Sequence, residues 1–244
     1  MPKLFRFSVL VPAIAAVLLA GCSSSPVSPG TPNADVEAET SPVPVSTLPR
    51  EELVPLVLGI DDIPTGGWTL ANVPGDEPTS APDSSAGAEP RGACLLDFTG
   101  FIPAEVSSQE VTARFVRSSV KQQIEVGVVG ISGAEDVVHE IDAALDDCDG
   151  AQSTTTDGER AVANIYEFDM LSEAGVPVEH TDAVCRDFDL SIGSNSTFGS
   201  FCFVAEGDLL LSTTAFGSGT IISKVEPTEF AAFVNASAIK AFGE

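Results

Sequence analysis

From Val111 onward, apolar residues recur at every second position in segment after segment, and this alternation narrows the choice of fold more than anything else in the chain. Val111, Ala113 and Phe115 alternate with polar neighbours, and so do Ile124, Val126 and Val128. Tyr166, Phe168 and Met170 do the same within 162–170, and Phe188, Leu190 and Ile192 within 185–192; segments 198–205 and 208–216 read as further strands without strict alternation. A period of two sends successive side chains to opposite faces, so each segment predicts a strand with one buried face. Ser118 to Gln122 predicts a turn between the first two strands, and Glu206-Gly207-Asp208 predicts the tip of a hairpin joining the last two.

Helical spacing occurs in three places. Glu51 to Ile60 brings Leu53, Leu56, Val57 and Ile60 to one face, with Pro55 near the first turn, where proline is tolerated. From Gly133 to about Asp147, a stripe of Ala134, Val137, Val138, Ile141, Ala144, Leu145 and Cys148 opposes Glu135, Asp136, Glu140, Asp142 and Asp146. Pro227 suits the first position of a last helix, to Phe242, whose apolar face is Phe230, Phe233, Val234, Ala238 and Ala241. Asn72 to Gly92 predicts a long loop. The order α-β-β-α-β-β-β-β-α contains no sustained βαβ alternation. It predicts an α+β domain: an antiparallel sheet with helices packed on one face.

The start of the chain has a different character. Lys3 and Arg6 precede an apolar run from Phe7 to Leu19, and Leu19-Ala20-Gly21-Cys22 follows. A run of about 13 residues is shorter than the ~20 needed to span a bilayer, and with its charged start and small-residue end it predicts a secretory signal over 1–21. The four residues ending at Cys22 resemble the bacterial lipobox. That resemblance implies cleavage before Cys22, a diacylglycerol on its thiol, and a place on the outer face of the cell membrane. Two acyl chains hold a protein stably where one does not. Residues 22–49 have no aromatic side chain and are rich in Ser, Pro, Thr, Val and Glu. They cannot bury enough apolar area to offset chain entropy and predict a tether, with an O-glycosylated stalk as the alternative. Residues 50–244 are then one soluble domain, long enough for a true core.

The chain is strongly acidic. Without Lys3 and Arg6 it keeps 9 basic residues (11 less 2) against 36 acidic ones, a balance of −27. Binding to nucleic acid, which draws its affinity from basic side chains meeting phosphates, is excluded as an expectation. Anionic headgroups would also repel the domain, so the membrane is a partner through the lipid anchor alone.

Setting Cys22 aside leaves an even number of cysteines: Cys94, Cys148, Cys185 and Cys202. Three pairings are possible. The preferred one joins Cys94 to Cys148, tying the long loop to the end of the central helix, and Cys185 to Cys202, linking neighbouring strands. The scattered spacing contains no CxxC, which disfavours a redox pair or a zinc site.

No catalytic or metal set emerges, and no cofactor is expected. Asp146-Asp147-Cys148-Asp149-Gly150 looks like part of a calcium loop, but with Gly150 as the sixth position the twelfth is Thr156 where glutamate is required. His139 and His180 are far apart in sequence. There is no G-x-S-x-G and no Walker or dinucleotide glycine pattern. Asn195-Ser196-Thr197 matches a glycosylation acceptor without structural meaning in a bacterial lipoprotein. Phe188, Phe198, Phe201, Phe203 and Phe216 crowd the last strands as core, with a ligand groove as the alternative.

Taken together, the lipobox, the tether and the four-cysteine domain resemble actinobacterial cell-envelope lipoproteins, and among these the chain is similar to the PknH-like extracellular sensor domains. The spacing 94 to 148 and 185 to 202, the cysteine closing the central helix before Asp149-Gly150, and the final Ala238-Ile239-Lys240-Ala241-Phe242 carry that likeness. It implies a cleft-bearing sensor or ligand-binding domain and supplies no binding residues. The expected function is a lipid-anchored extracytoplasmic binding module that is not an enzyme, taking a small apolar ligand or an envelope protein. The alternatives are an envelope hydrolase with a carboxylate cleft and an assembly partner.

Overall fold

The structure is a computed structural model that describes residues 45–75, 94, 98, 101–146, 148, 151–154, 160–167, 182–218 and 224–243. Cys22, the expected signal and most of the tether lie outside these residues, as do Phe168, Met170, His180, and Asp147, Asp149 and Gly150 of the calcium-like stretch.

One antiparallel sheet organises the fold. Its strands are β1 (Thr69–Leu70), β2 (Val111–Arg117), β3 (Gln122–Gly130), β4 (Ala151–Thr154), β5 (Arg160–Glu167), β6 (Ala183–Ile192), β7 (Asn195–Glu206) and β8 (Leu209–Ser218), in the spatial order β1-β2-β3-β8-β7-β6-β5-β4. All seven strand pairings are antiparallel. The first three strands form a meander. The chain then passes through α3 (Ala134–Leu145) to the far edge, and β4 to β8 meander back until β8 closes against β3.

Two hairpin tips are tight. β7 and β8 are joined by Gly207-Asp208, where Gly207 takes φ +58°, a left-handed conformation that other residues adopt only with strain. Gly193-Ser194 joins β6 to β7, so the serine-rich 195–199 stretch belongs to a strand, and the Asn195-Ser196-Thr197 motif with it.

The alternation sorts the side chains into two apolar layers, one on each face. Phe115, Ile124, Val126, Val128, Cys202, Val204, Leu211 and Ala215 pack with Phe230, Phe233, Val234 and Ala238 of α4 (Pro227–Phe242) and with Leu53 and Val57. Val184, Phe188, Phe201, Phe203, Ala205 and Leu210 pack instead with Val137, Val138, Ile141 and Leu145 of α3. The α+β class and the antiparallel sheet are as the sequence predicts, but the helices divide between the faces rather than sharing one. The connectivity accounts for this. α3 crosses one face to reach β4, and α4, leaving β8 beside β3, closes over the other. Both layers are needed because β7 and β8 are apolar on both sides, as sandwiched strands are.

The first helix is shorter than its periodicity suggests. α1 covers Arg50–Leu53 and gives way to a 3-10 turn at Val54–Leu56, and a second such turn follows at Ile60–Asp62. Pro55 has no N–H for the next helical bond, and Val57 N–H bonds back to Val54 instead. Asp62 then accepts the Gly59 N–H at 2.7 Å and pairs with Lys240 of α4 at 2.5 Å. A short helix, α2 (Ala104–Ser107), precedes β2.

Candidate functional site

Among the described residues, α4 lies over only part of one sheet face. Cross-strand partners define rows that run across it. One row is Phe115, Ile124, Ala215, Ser200, Asp187 and Tyr166, and the next is Arg117, Gln122, Gly217, Phe198, Asp189 and Asn164. α4 makes its main sheet contacts with β8 and β7. Ala215, Gly217 and Phe198 of β8 and β7 give way along these rows to Asp187, Asp189, Asn164 and Tyr166 over β6 and β5. Ser200 is buried, Asp187, Asp189 and Asn164 are partly exposed, and Tyr166 is 48% exposed.

Hydrogen bonds fix this polar half. Ser200 Oγ donates to Asp187 Oδ1 at 2.6 Å, and Lys224 Nζ pairs with the other carboxylate oxygen. Tyr166 donates its hydroxyl to Asp189 Oδ2 at 3.0 Å, which sets the tilt of the ring. The hydroxyls of Ser191 and Ser196 lie 3.1 Å apart.

Lys224 links this half to a second cluster at the start of α4. Its carbonyl accepts from Gln122 Nε2 at 3.0 Å, and Gln122 Oε1 accepts from Arg117 Nη1 at 3.1 Å. Arg117 also holds Glu229 through both terminal nitrogens, at 2.5 Å and 3.0 Å. Glu229 Oε1 accepts in addition from Thr65 Oγ1 at 2.7 Å and Trp68 Nε1 at 3.1 Å. The guanidinium lies over the Trp68 ring, 4.3 Å from its centroid, and Trp68 meets Phe233 edge-on at 5.5 Å. Burial alone would raise the Glu229 carboxyl. The hydrogen bonds from Arg117, Thr65 and Trp68, with the charge of Arg117, outweigh it and hold the group below the ordinary glutamate range.

No family model matches the chain, and no curated protein matches it. Among solved structures it is similar to the crystal structure of the extracellular domain of PknH from Mycobacterium tuberculosis, at 10% identity and a TM-score of 0.48 over 81% of this chain and 98% of that one.

The cysteines resolve as the preferred pairing has them: Cys94 is bonded to Cys148 and Cys185 to Cys202. The first joins the residues before α2 to the end of α3, and the second links directly opposed residues of β6 and β7. His139 lies 3.0 Å from Asp182 and is well exposed. Among the described residues no His, Cys, Asp and Glu group forms a set that could hold a metal. Phe188, Phe201 and Phe203 are core, and Phe98 packs on the last two. Phe198 belongs to neither apolar layer among the described residues.

Sequence reasoning therefore missed Tyr166, Asp187, Asp189, Ser200 and Lys224. A signal existed: Asp187 and Asp189 are the polar alternates of Phe188 and Leu190 on one strand. What was lacking was the register that sets them beside Ser200 and Phe198. Tyr166, read by alternation as a core residue, points to the polar side.

Chemically, these carboxylates are acceptors. Both Asp187 oxygens already carry a donor, and Glu229 receives four hydrogen bonds, all from groups of the chain itself. The arrangement suits fixing a surface in shape: a ring, carboxylates, an amide and hydroxyls on rigid strands.

Proposed function

We propose that the chain is a lipid-anchored, extracytoplasmic binding module that holds a ligand without transforming it. The observation that carries this reading is the accounting of its five cysteines. Four are consumed in two disulfides, which suits a chain folding in an oxidising compartment outside the cytosol. Cys22 is the one left over, and it stands where the lipobox requires an acceptor thiol. The carboxylates of Asp187 and Glu229 are engaged by donors of the chain itself, which favours a binding role over an acid–base one.

The anchor is tested by expressing the chain with Cys22→Ser in a bacterium fed a labelled fatty acid. The unchanged chain is expected to take up label and to sediment with membranes. The variant is expected to carry none and to retain an unprocessed leader. Label incorporated equally into both chains would end the anchored reading.

A further inference from the structure

We infer that residues 45–48 are a clasp: a detachable strand that fastens the preceding chain to the end of β3 and opens while the sheet stays intact. The inference goes beyond the binding-module reading and does not depend on what Cys22 carries.

Three observations lead there. The first is a place in the sheet that β2 leaves and the chain's own entry segment takes. β2 pairs with β3 only as far as Val111 and Val128, whereas β8 follows β3 on its other side to Gly130. Ile131 continues on the β8 side, donating its N–H to the Asp208 carbonyl at 2.8 Å. Backbone groups of successive residues point to alternate sides of a strand, so Gly130 and Ser132 face the side that β2 has left. Residues 45–47 lie there, antiparallel, with Ser46 opposite Ile131. Thr47 N–H donates to the Gly130 carbonyl at 3.3 Å, and Ser132 N–H donates to the Val45 carbonyl at 2.9 Å. The Ser132 hydroxyl accepts from Val45 N–H at 3.0 Å. Sheets bind extended peptides by adding them to a strand in this way, and here both parties belong to one chain.

The second is Gly130. Its φ lies outside the left-handed region, so its backbone does not call for glycine. A Cβ there would nevertheless lie 2.8 Å from Leu48 Cβ, 2.9 Å from Leu48 N and 2.9 Å from Thr47 Oγ1. These three nearest atoms all belong to the entry segment, so the missing side chain makes room for it.

The third is how unevenly the segment is held. The Thr47 bonds are long, at 3.3 Å to Gly130 and 3.4 Å to the Asp208 carbonyl, and Val45 is 58% exposed. Leu48 is only partly buried against the core. Firm attachment begins beyond Pro49. Glu52 N–H donates to the Pro49 carbonyl to start α1, Arg50 donates to the Glu110 carbonyl, and Leu53 is fully buried. An opening that starts at Val45 therefore stops at α1. Segments with few buried apolar contacts are those that open well below the free energy of global unfolding. Opening frees residues 45–48, which adds roughly 14 Å of reach to the preceding chain. It also bares the Gly130 carbonyl and the Ser132 N–H as a flank that can receive a strand.

Native-state hydrogen exchange of the full chain in a mild detergent, read by NMR over a range of low denaturant concentrations, tests the clasp. The Thr47 and Ser132 amides should be protected, but roughly tenfold or more below those of the β7–β8 ladder, and their exchange should be insensitive to denaturant. Gly130→Ala should lower the protection of these two amides by about a further tenfold and leave the β7–β8 ladder unchanged. Ser132→Ala, which removes only the hydroxyl that accepts from Val45, should act in the same direction and more weakly, and it decides the matter if Gly130→Ala does not fold. Exchange of Thr47 and Ser132 only together with the ladder, free exchange of both in the unchanged chain, or unaltered protection in the folded variants would each overturn the inference.

Discussion

Glu229 shows how one side chain can hold three parts of the molecule. Its carboxylate gathers Thr65 and Trp68 from the loop before β1, Arg117 from the end of β2, and the first turn of α4. Removing the charge while keeping the shape, Glu229→Gln, should cost about 2–3 kcal/mol, since hydrogen bonds to charged groups are worth about 1.5–3 kcal/mol each and some neutral bonding survives. Urea denaturation at neutral pH measures it. Because the folded carboxyl titrates below its unfolded value of about 4.3, the stabilisation is complete above that value and is lost as pH falls through the lower folded one. The unchanged protein should therefore lose more stability on acidification than Glu229→Gln, and parallel pH profiles would contradict the assignment. Gly199 makes a different point. A Cβ there would lie 1.9 Å from the Ala215 carbonyl and 2.7 Å from the Phe188 ring. Gly199→Ala must therefore part β7 from β8 or displace a buried ring, at a cost of about 1–3 kcal/mol, visible as a lowered melting temperature.

At the scale of elements, the two disulfides differ in reach. Cys94–Cys148 closes a span of 54 residues and Cys185–Cys202 one of 17. If constraint of the unfolded chain dominates, replacing the first pair by serines should cost about 4 kcal/mol and the second about 3. Chemical denaturation of the two double variants gives the order directly, and a larger loss from the short span would mean that local packing decides. The elements themselves were largely legible. The α3 stripe Val137, Val138, Ile141 and Leu145 and the α4 stripe Phe230, Phe233, Val234 and Ala238 are buried where helical spacing puts them. What escaped the sequence has three physical causes. Strands as short as β1 at Thr69–Leu70 have no period to read. Pro55 ended α1 early because a donor was missing inside it. Register and helix placement come from long-range pairing, and with them went the polar strip: alternation gives the two faces of β6 but does not say that Asp189 meets Asn164 and Phe198.

For the whole molecule, charge and attachment matter most. A balance of −25 makes the folded state repel itself, while ion pairs such as Arg114–Glu125 and Lys240–Asp62 pull the other way. Self-repulsion acts over the whole surface and the pairs among the described residues are few, so screening should help more than it harms. Raising ionic strength to about 1 M, where the screening length is about 3 Å, should raise the thermal midpoint. A falling midpoint would show that the pairs dominate. The last consequence concerns the short stretch leading into the domain. Val45 and Thr47 bond to Ser132 and Gly130, and the Thr47 hydroxyl reaches Asp208 at the β7–β8 tip. The chain thus enters at one pole of the sheet, and the Gly193-Ser194 tip, with the row of Asn164, Asp189 and Phe198 leading toward it, lies toward the other. A domain moored through Cys22, as proposed, would be held like a flag at its hoist, with the Gly193-Ser194 tip at the fly end.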